Sequence, residues 1–327
     1  MLKMIDLFAG IGGIRIAFES NGVKCVMSSE IDKYACETYE NNFQEKPLGD
    51  ITKIDANELP EFDIITAGFP CQPFSLAGLR KGFEDTRGTL FFEVARIIRE
   101  RSPKAFFLEN VEGLVNHDQG KTLEVIESTL DELGYNFQWR VMNACEYGVP
   151  QNRKRWYCVG FRKDLGIGFE GDKEDNLIFR FPDKRELKYK VKDIVKGSVD
   201  SCYEVSDICK NNIEKYLDTF KESKRNNGKE VILANEIRPS RCNFRADGIS
   251  PCLTAKMGTG GNNVPVYVEK MRKLTEQECL ILMGFPSWYK IKKNSGHSYK
   301  QIGNSVVVSV VNELAREMVR VMEEAKL

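Results

Sequence analysis

Through its first half the chain alternates short apolar runs with amphipathic stretches. Runs at 4–8, 23–28, 62–67, 104–108, 137–143 and 155–161 have the length and composition of strands. Residues 122–133 place Leu123, Val125, Ile126, Leu130 and Leu133 on one helical stripe that stops at Gly134, a residue suited to a helix C-cap. Residues 90–99 predict another helix. Strands alternating with helices predict an α/β domain on a doubly wound, mostly parallel sheet, with its functional loops at the carboxyl ends of the strands.

Beyond Phe169 the pattern dissolves, and residues 170–270 are polar, irregular and rich in Lys, Asn and Asp. Order returns at Leu274. Thr275 and Glu278 have the spacing of a capping box for a helix ending near Gly284. Residues 304–325 predict a long closing helix with Val307, Val310, Val311, Leu314 and Met318 inward. The organisation is a nucleotide-type α/β domain, a less regular insert, and a return of the chain to the first domain.

A chain of 327 residues with 42% hydrophobic content can hold two domains and bury a substantial core. Its 48 basic and 48 acidic side chains cancel, so any nucleic-acid partner must be met by a local patch. Met1-Leu2-Lys3 leads straight into the first apolar run, and nowhere is there a membrane-length apolar stretch, so a soluble protein of a reducing, cytoplasmic compartment is expected. Ten cysteines without Cys-x-x-Cys spacing, and only His117 and His297 beside them, speak against a metal site or a disulfide framework.

Chemistry concentrates in the loops beside the strands. The stretch Asp6-Leu-Phe-Ala-Gly10-Ile-Gly12-Gly13 lets a ligand approach the backbone and opens a helix N-terminus, but Arg15 occupies the third glycine position of the dinucleotide fingerprint. Glu30, at the end of the second strand, is placed to accept from ribose hydroxyls, and Asp50 could accept from an adenine amino group. Cys71 stands between Pro70 and Pro73 directly after an apolar run, a stiff mount for a thiolate nucleophile. Taken singly, a cysteine is more often a small buried hydrophobe and an acid a solvated surface group. Glu109 follows Phe106, Phe107 and Leu108, so desolvation should raise its pKa as suits a proton donor, although a buried, salt-bridged glutamate would look the same. Alternation puts Arg153 and Arg155 on one side of the strand they enter, as forks for carboxylate, phosphate or carbonyl oxygen.

Together these segments resemble the DNA (cytosine-5)-methyltransferase family. The resemblance rests on DLFAGIGG at 6–13, Glu30, Gly49-Asp50, GFPCQPFS at 68–75, Arg87-Gly-Thr-Leu90, Glu109-Asn110-Val111, QNRKR at 151–155, RKLTEQECLILMGFP at 272–286 and QIGNSVV at 301–307. It lapses over roughly residues 170–250, where the family itself varies.

The resemblance implies an S-adenosylmethionine-dependent methyltransferase fold with a catalytic and cofactor-binding domain at 1–190 plus 303–327, a smaller irregular target-recognition domain at 197–270 and a hinge region at 271–302. It implies methyl transfer from S-adenosylmethionine, leaving S-adenosylhomocysteine, to carbon 5 of a cytosine flipped out of duplex DNA. Cys71 would add to carbon 6, Glu109 would hold or protonate ring nitrogen 3, and Arg155, with Arg153 beside it, would bind the carbonyl oxygen. Phe8, Gly10, Ile11, Gly13, Glu30, Ile31, Asp50, Ile51, Pro70 and Leu90 would form the cofactor pocket, completed by Asn304, Ser305 and Val306. The segment 76–88 looks like a loop that closes over the flipped base, so Ser75, Arg80, Lys81 and Arg87 are expected on DNA. Arg238, Arg241, Arg245 and Lys256 stand against Asp247 alone and predict a positive patch within 237–268. Cys252 departs from the threonine the family often has before Leu253. A monomer without an obligate protein partner, serving a restriction-modification system, is the expected setting. The competing readings are a transfer-RNA cytosine-5 methyltransferase, a non-catalytic DNA-binding relative and a Rossmann oxidoreductase.

Overall fold

The computed structural model describes residues 1–70, 90–171, 177–195, 197–223, 230–260 and 263–327. Cys71, Ser75, Arg80, Lys81 and Arg87 lie outside the described residues, as does the expected closing loop at 76–88.

All the predicted strands form: β1 (Lys3–Leu7), β2 (Lys24–Ser29), β3 (Ile64–Ala67), β4 (Ala105–Val111), β5 (Tyr135–Asn143) and β6 (Lys154–Arg162). They make one sheet in the order β2-β1-β3-β4-β6-β5, in which β6 alone runs against the others. Helices α1 (Gly13–Glu19), α2 (Lys33–Phe43), α3 (Leu90–Arg101) and α4 (Lys121–Glu132) connect the strands. Successive residues of β4 serve opposite layers: Ala105 and Phe107 join the core that includes Ile14 and Phe18 of α1, while Phe106 and Leu108 join that of Val94 on α3 and Ile126 on α4. Burial on both faces explains why β3 and β4 read as continuous apolar runs.

The stretch expected to be irregular contains order. β7 (Ile167–Phe169) and β8 (Leu177–Phe179) form a short parallel pair, and α5 (Val191–Ile194) leads to α6 (Asp207–Glu222). β9 (Leu233–Arg238), β10 (Arg241–Arg245), β11 (Val266–Tyr267) and β12 (Arg272–Lys273) make a second sheet in the order β10-β9-β11-β12. Its core joins Cys209 and Ile213 of α6 to Ala234, Ile237, Phe244 and Val266. Strands of two residues leave no alternation to read, and β12 carries this sheet past residue 270.

The capping box forms at the start of α7 (Glu276–Leu282): the Glu278 N–H donates to Thr275 Oγ1 at 3.1 Å and the Thr275 N–H to Glu278 Oε2 at 2.8 Å. The closing helix expected over 304–325 forms as α9 (Val308–Glu324), with a separate helix, α8 (Gly296–Asn304), ahead of it. The break falls where the Arg153 guanidinium takes the carbonyls of Gly303 and Ser305, which an unbroken helix would use internally. α9 packs on α1, and Asn21 Nδ2 donates to Asn312 Oδ1 at 2.9 Å across the pair. Among the described residues no helix is long and apolar enough to cross a membrane.

Candidate active site

Strand register gathers the functional loops at one edge of the sheet. Leu7 lies between Ser29 and Ala67, Ala67 pairs with Leu108, and Val111 pairs with Arg155. Because β6 is antiparallel, its first residues meet the last residues of β4. At this edge opens a cavity of about 350 Å³, within the range of small-molecule sites. Its lining includes Phe8, Gly10 and Ile11 after β1, Glu30 and Ile31 after β2, Asp50 and Ile51, Pro70 after β3, Glu109 in β4, and Arg155 in β6. Leu90 from α3 and Asn304 and Ser305 from the α8–α9 junction complete it.

The first loop turns sharply: Phe8, at φ 57°, occupies the left-handed region that a bulky residue rarely adopts, followed by Gly10 at φ 55°. This turn delivers the Gly10 N–H to Glu30 Oε2 at 2.8 Å, while the N–H groups of Ile31 and Asp32 donate to Oε1 at 2.8 and 2.7 Å. Backbone donors thus set the carboxylate in place, and its remaining acceptor capacity suits the hydroxyls of a ribose. Asp50 Oδ1 accepts from the N–H and hydroxyl of Thr52, bonds that hold its carboxyl below the usual range. Arg15, which breaks the dinucleotide pattern, is buried over the Phe43 ring and paired with Glu19 and Glu45.

Gly13 and Val306 stand differently from expectation, because neither lines the cavity. A Cβ on Gly13 would come within 2.8 Å of Ser305 Oγ and 2.9 Å of Val306 Cγ2. The glycine lets α1 press against the returning chain, and both residues form the layer behind the cavity wall.

Glu109 lies within β4, opposite Tyr157, rather than beyond the strand's end. Arg155 Nε lies 3.1 Å from Glu109 Oε1. Burial pushes the Glu109 carboxyl up, against the pull of Arg155 and Arg153, so it holds a proton more readily than a solvated glutamate. Its Oε2 faces the next loop, 3.5 Å from where a Gly68 side chain would begin. Asn110 Nδ2 donates to the Phe69 carbonyl at 2.9 Å and ties that loop to β4.

Arg153 does not present a second fork to the cavity. It is buried, and its Nη atoms donate to the carbonyls of Leu253, Gly303 and Ser305. Arg153 stands just before β6, where alternation says nothing of what covers a side chain.

The expected basic patch is also altered. Arg241 pairs with Glu236 at 3.1 Å, Arg245 with Asp247 at 2.6 Å, and Arg238 donates to Asn263 Oδ1 at 2.7 Å, while Lys256 is exposed. Glu236 stands one residue before the stretch 237–268, so its charge escapes a count made there. Further residues join the cavity wall unannounced by the sequence, Tyr34, His297 and Lys300 among them. The rings of Tyr34 and His297 stack at 3.6 Å, and Lys300 pairs with Asp32 at 3.1 Å. They belong to separate elements, α2 and α8, and no local pattern joins them.

Behind the first loop Asp6 is fully buried, accepts from Thr66 Oγ1 at 2.7 Å, and is raised to about 7, chiefly by desolvation, with Arg15 opposing and Glu30 adding to the rise. The folded protein therefore keeps a proton that the unfolded chain releases near pH 4. The associated stability is full below that pH and lost as pH rises through about 7, on the order of 4 kcal/mol in all. Urea titrations between pH 5 and 8 should show this decline, and Asp6→Asn should flatten it; an equal slope in the variant would assign the decline to other groups.

Residues 2–320 match the family described as C-5 cytosine-specific DNA methylase. The chain is 44% identical over 322 residues to the type II methyltransferase M.HhaI of Haemophilus parahaemolyticus, covering 96% of this chain and 93% of that one. It is 41% identical over 323 residues to the type II methyltransferase M.NlaX of Neisseria lactamica, covering 97% and 96%. Among solved structures, a DNMT2 mutant from Spodoptera frugiperda superposes with a TM-score of 0.72 at 22% identity, covering 98% of this chain and all of that one, a likeness of fold.

Proposed function

The chain belongs to the C-5 cytosine-specific DNA methylase family, and on that premise we propose that it methylates carbon 5 of a cytosine in a specific duplex DNA sequence, as the modification enzyme of a restriction-modification system. The observation that carries the reading is the junction, in one cavity, of the Phe8–Ile11 and Glu30 cradle with the Glu109–Arg155 pair. S-adenosylmethionine supplies the methyl group. The cavity's fixed Glu30 carboxylate suits its ribose, the apolar Ile31, Ile51, Pro70 and Leu90 its adenine, and the chain turn at Phe8–Ile11 with Ser305 its amino-acid end.

Carbon 5 of cytosine is a poor nucleophile, and the protein's own groups must enrich it. The Cys71 sulfur adds to carbon 6, Glu109 gives or shares a proton at ring nitrogen 3, and the Arg155 fork receives the carbonyl oxygen, so charge is met where it develops. Carbon 5 then takes the methyl group, and loss of its proton expels Cys71. A duplex hides this atom, so the base must leave the stack, at roughly a few kcal/mol. Residues 197–270 are assigned the reading of sequence, with 271–302 linking them to the catalytic domain. Methylated cytosine at one recurring short sequence is the expected outcome of bisulfite sequencing of a plasmid from cells expressing the chain. Unmodified plasmid together with modified transfer RNA would overturn the assignment.

A further inference from the structure

Arg153 and its neighbour Gln151 join parts of the chain that serve different ligands. Arg153 Nη1 donates to the Leu253 carbonyl and lies 3.5 Å from Cys252 Sγ, while Nη2 donates to Gly303 at 3.1 Å and to Ser305. Gln151 Oε1 accepts from the Leu253 N–H at 3.0 Å, and its Nε2 donates to the Leu282 carbonyl at 2.7 Å. The backbone zips the same two stretches together, with the Asn152 N–H on Ser250 at 2.8 Å and the Ser250 N–H on Pro150 at 2.7 Å. Independently of these bonds, a Cβ on Gly303 would come 2.1 Å from the Thr254 carbonyl carbon, and one on Gly258 would come 2.4 Å from the Gly296 oxygen. α8 is therefore held from both ends against residues 252–258. Its other face, through His297, Gln301 and Asn304, lines the cavity, which none of residues 252–258 touches.

We infer that Arg153 is a positioning residue that couples cofactor occupancy of the cavity to the order of residues 252–258, and through them to duplex binding. The inference rests on the methyltransferase reading. Two close-packed contacts and a buried three-carbonyl clasp leave α8 no freedom to shift without moving the segment behind it. By linkage, whatever the cofactor does to duplex affinity, the duplex does equally to cofactor affinity. A guanidinium is needed because its planar fork reaches separate acceptors at once, which an ammonium on a flexible stem does not reproduce.

The test uses the full chain, S-adenosylhomocysteine as cofactor probe, and a duplex carrying the sequence found methylated in cells. In the wild type, the probe should tighten duplex binding by about 5- to 150-fold. Arg153→Lys should reduce that factor to about 2-fold or less, with smaller changes in binding of each ligand alone and a loss seen in KM for DNA more than in kcat. A coupling factor unchanged in Arg153→Lys, or absent from the wild type, overturns the inference. Should the variant not fold, hydrogen exchange on the wild type decides. Adding S-adenosylhomocysteine should protect the Leu253 and Met257 amides while leaving those of Ile213 and Ala234 as they were; a uniform rise across all four, the signature of ordinary ligand stabilisation, overturns it. Failure of the methyltransferase reading would show itself separately, as wild-type chain that modifies no DNA.

Discussion

Cys71→Ala is expected to remove methyl transfer to duplex DNA by at least ~10,000-fold, the scale on which loss of a covalent nucleophile acts, while affinity for S-adenosylhomocysteine stays within about 2-fold. The two halves of this expectation have different origins. Without sulfur addition at carbon 6, the cytosine ring keeps its aromatic character and carbon 5 remains a poor nucleophile. The cofactor cradle, by contrast, is assembled among the described residues from the turn at Phe8–Ile11 and the backbone-held Glu30. Transfer of radiolabelled methyl groups to duplex DNA measures the first half and titration calorimetry the second. Turnover within ~10-fold of wild type would remove Cys71 from the role of nucleophile, and a collapse of cofactor binding would make the loop around it structural.

Glu109→Gln should lower kcat by about 100- to 10,000-fold, the usual contribution of a placed general acid, with the duplex Kd changed by less than about 5-fold. The substitution keeps the shape of the side chain and removes its titratable proton. Burial holds the carboxyl toward its protonated form, so the wild-type rate should decline on the alkaline side as that proton is lost, and the Gln variant should lack this limb. Arg155, 3.1 Å away, loses its carboxyl partner in the variant, so a modest fall in thermal stability accompanies the change. Equal losses in kcat and duplex affinity would instead make Glu109 a structural partner of Arg155.

The α/β architecture was legible because strands such as β3 and β4, buried on both faces, leave unbroken apolar runs, and every run the sequence offered became a strand. Strand direction was not, since alternation along 155–161 is identical whichever way β6 runs, yet that direction is what brings Arg155 beside Glu109. Glu109 could be suspected from its apolar neighbours, a local property. The service of Arg153 to three carbonyls and the place of Gly13 and Val306 behind the wall could not, because each depends on contacts 100 residues or more away along the chain. The second sheet was hidden for another reason: β11 and β12 take most of their order from pairing, not from their own pattern.

The packing of α9 on α1 has a bearing on synthesis. Asn312 meets Asn21, 291 residues earlier, and the core beneath β1 and β4 includes Val311, Leu314 and Met318. During translation that core stays open until α9 has left the ribosome, so most of the nascent chain must wait with apolar strands uncovered, the condition in which chaperones bind and aggregation begins. A prematurely terminated chain would then carry the loops of the first sheet without the helix that closes beneath them, and would meet the cell's proteases before it could meet DNA.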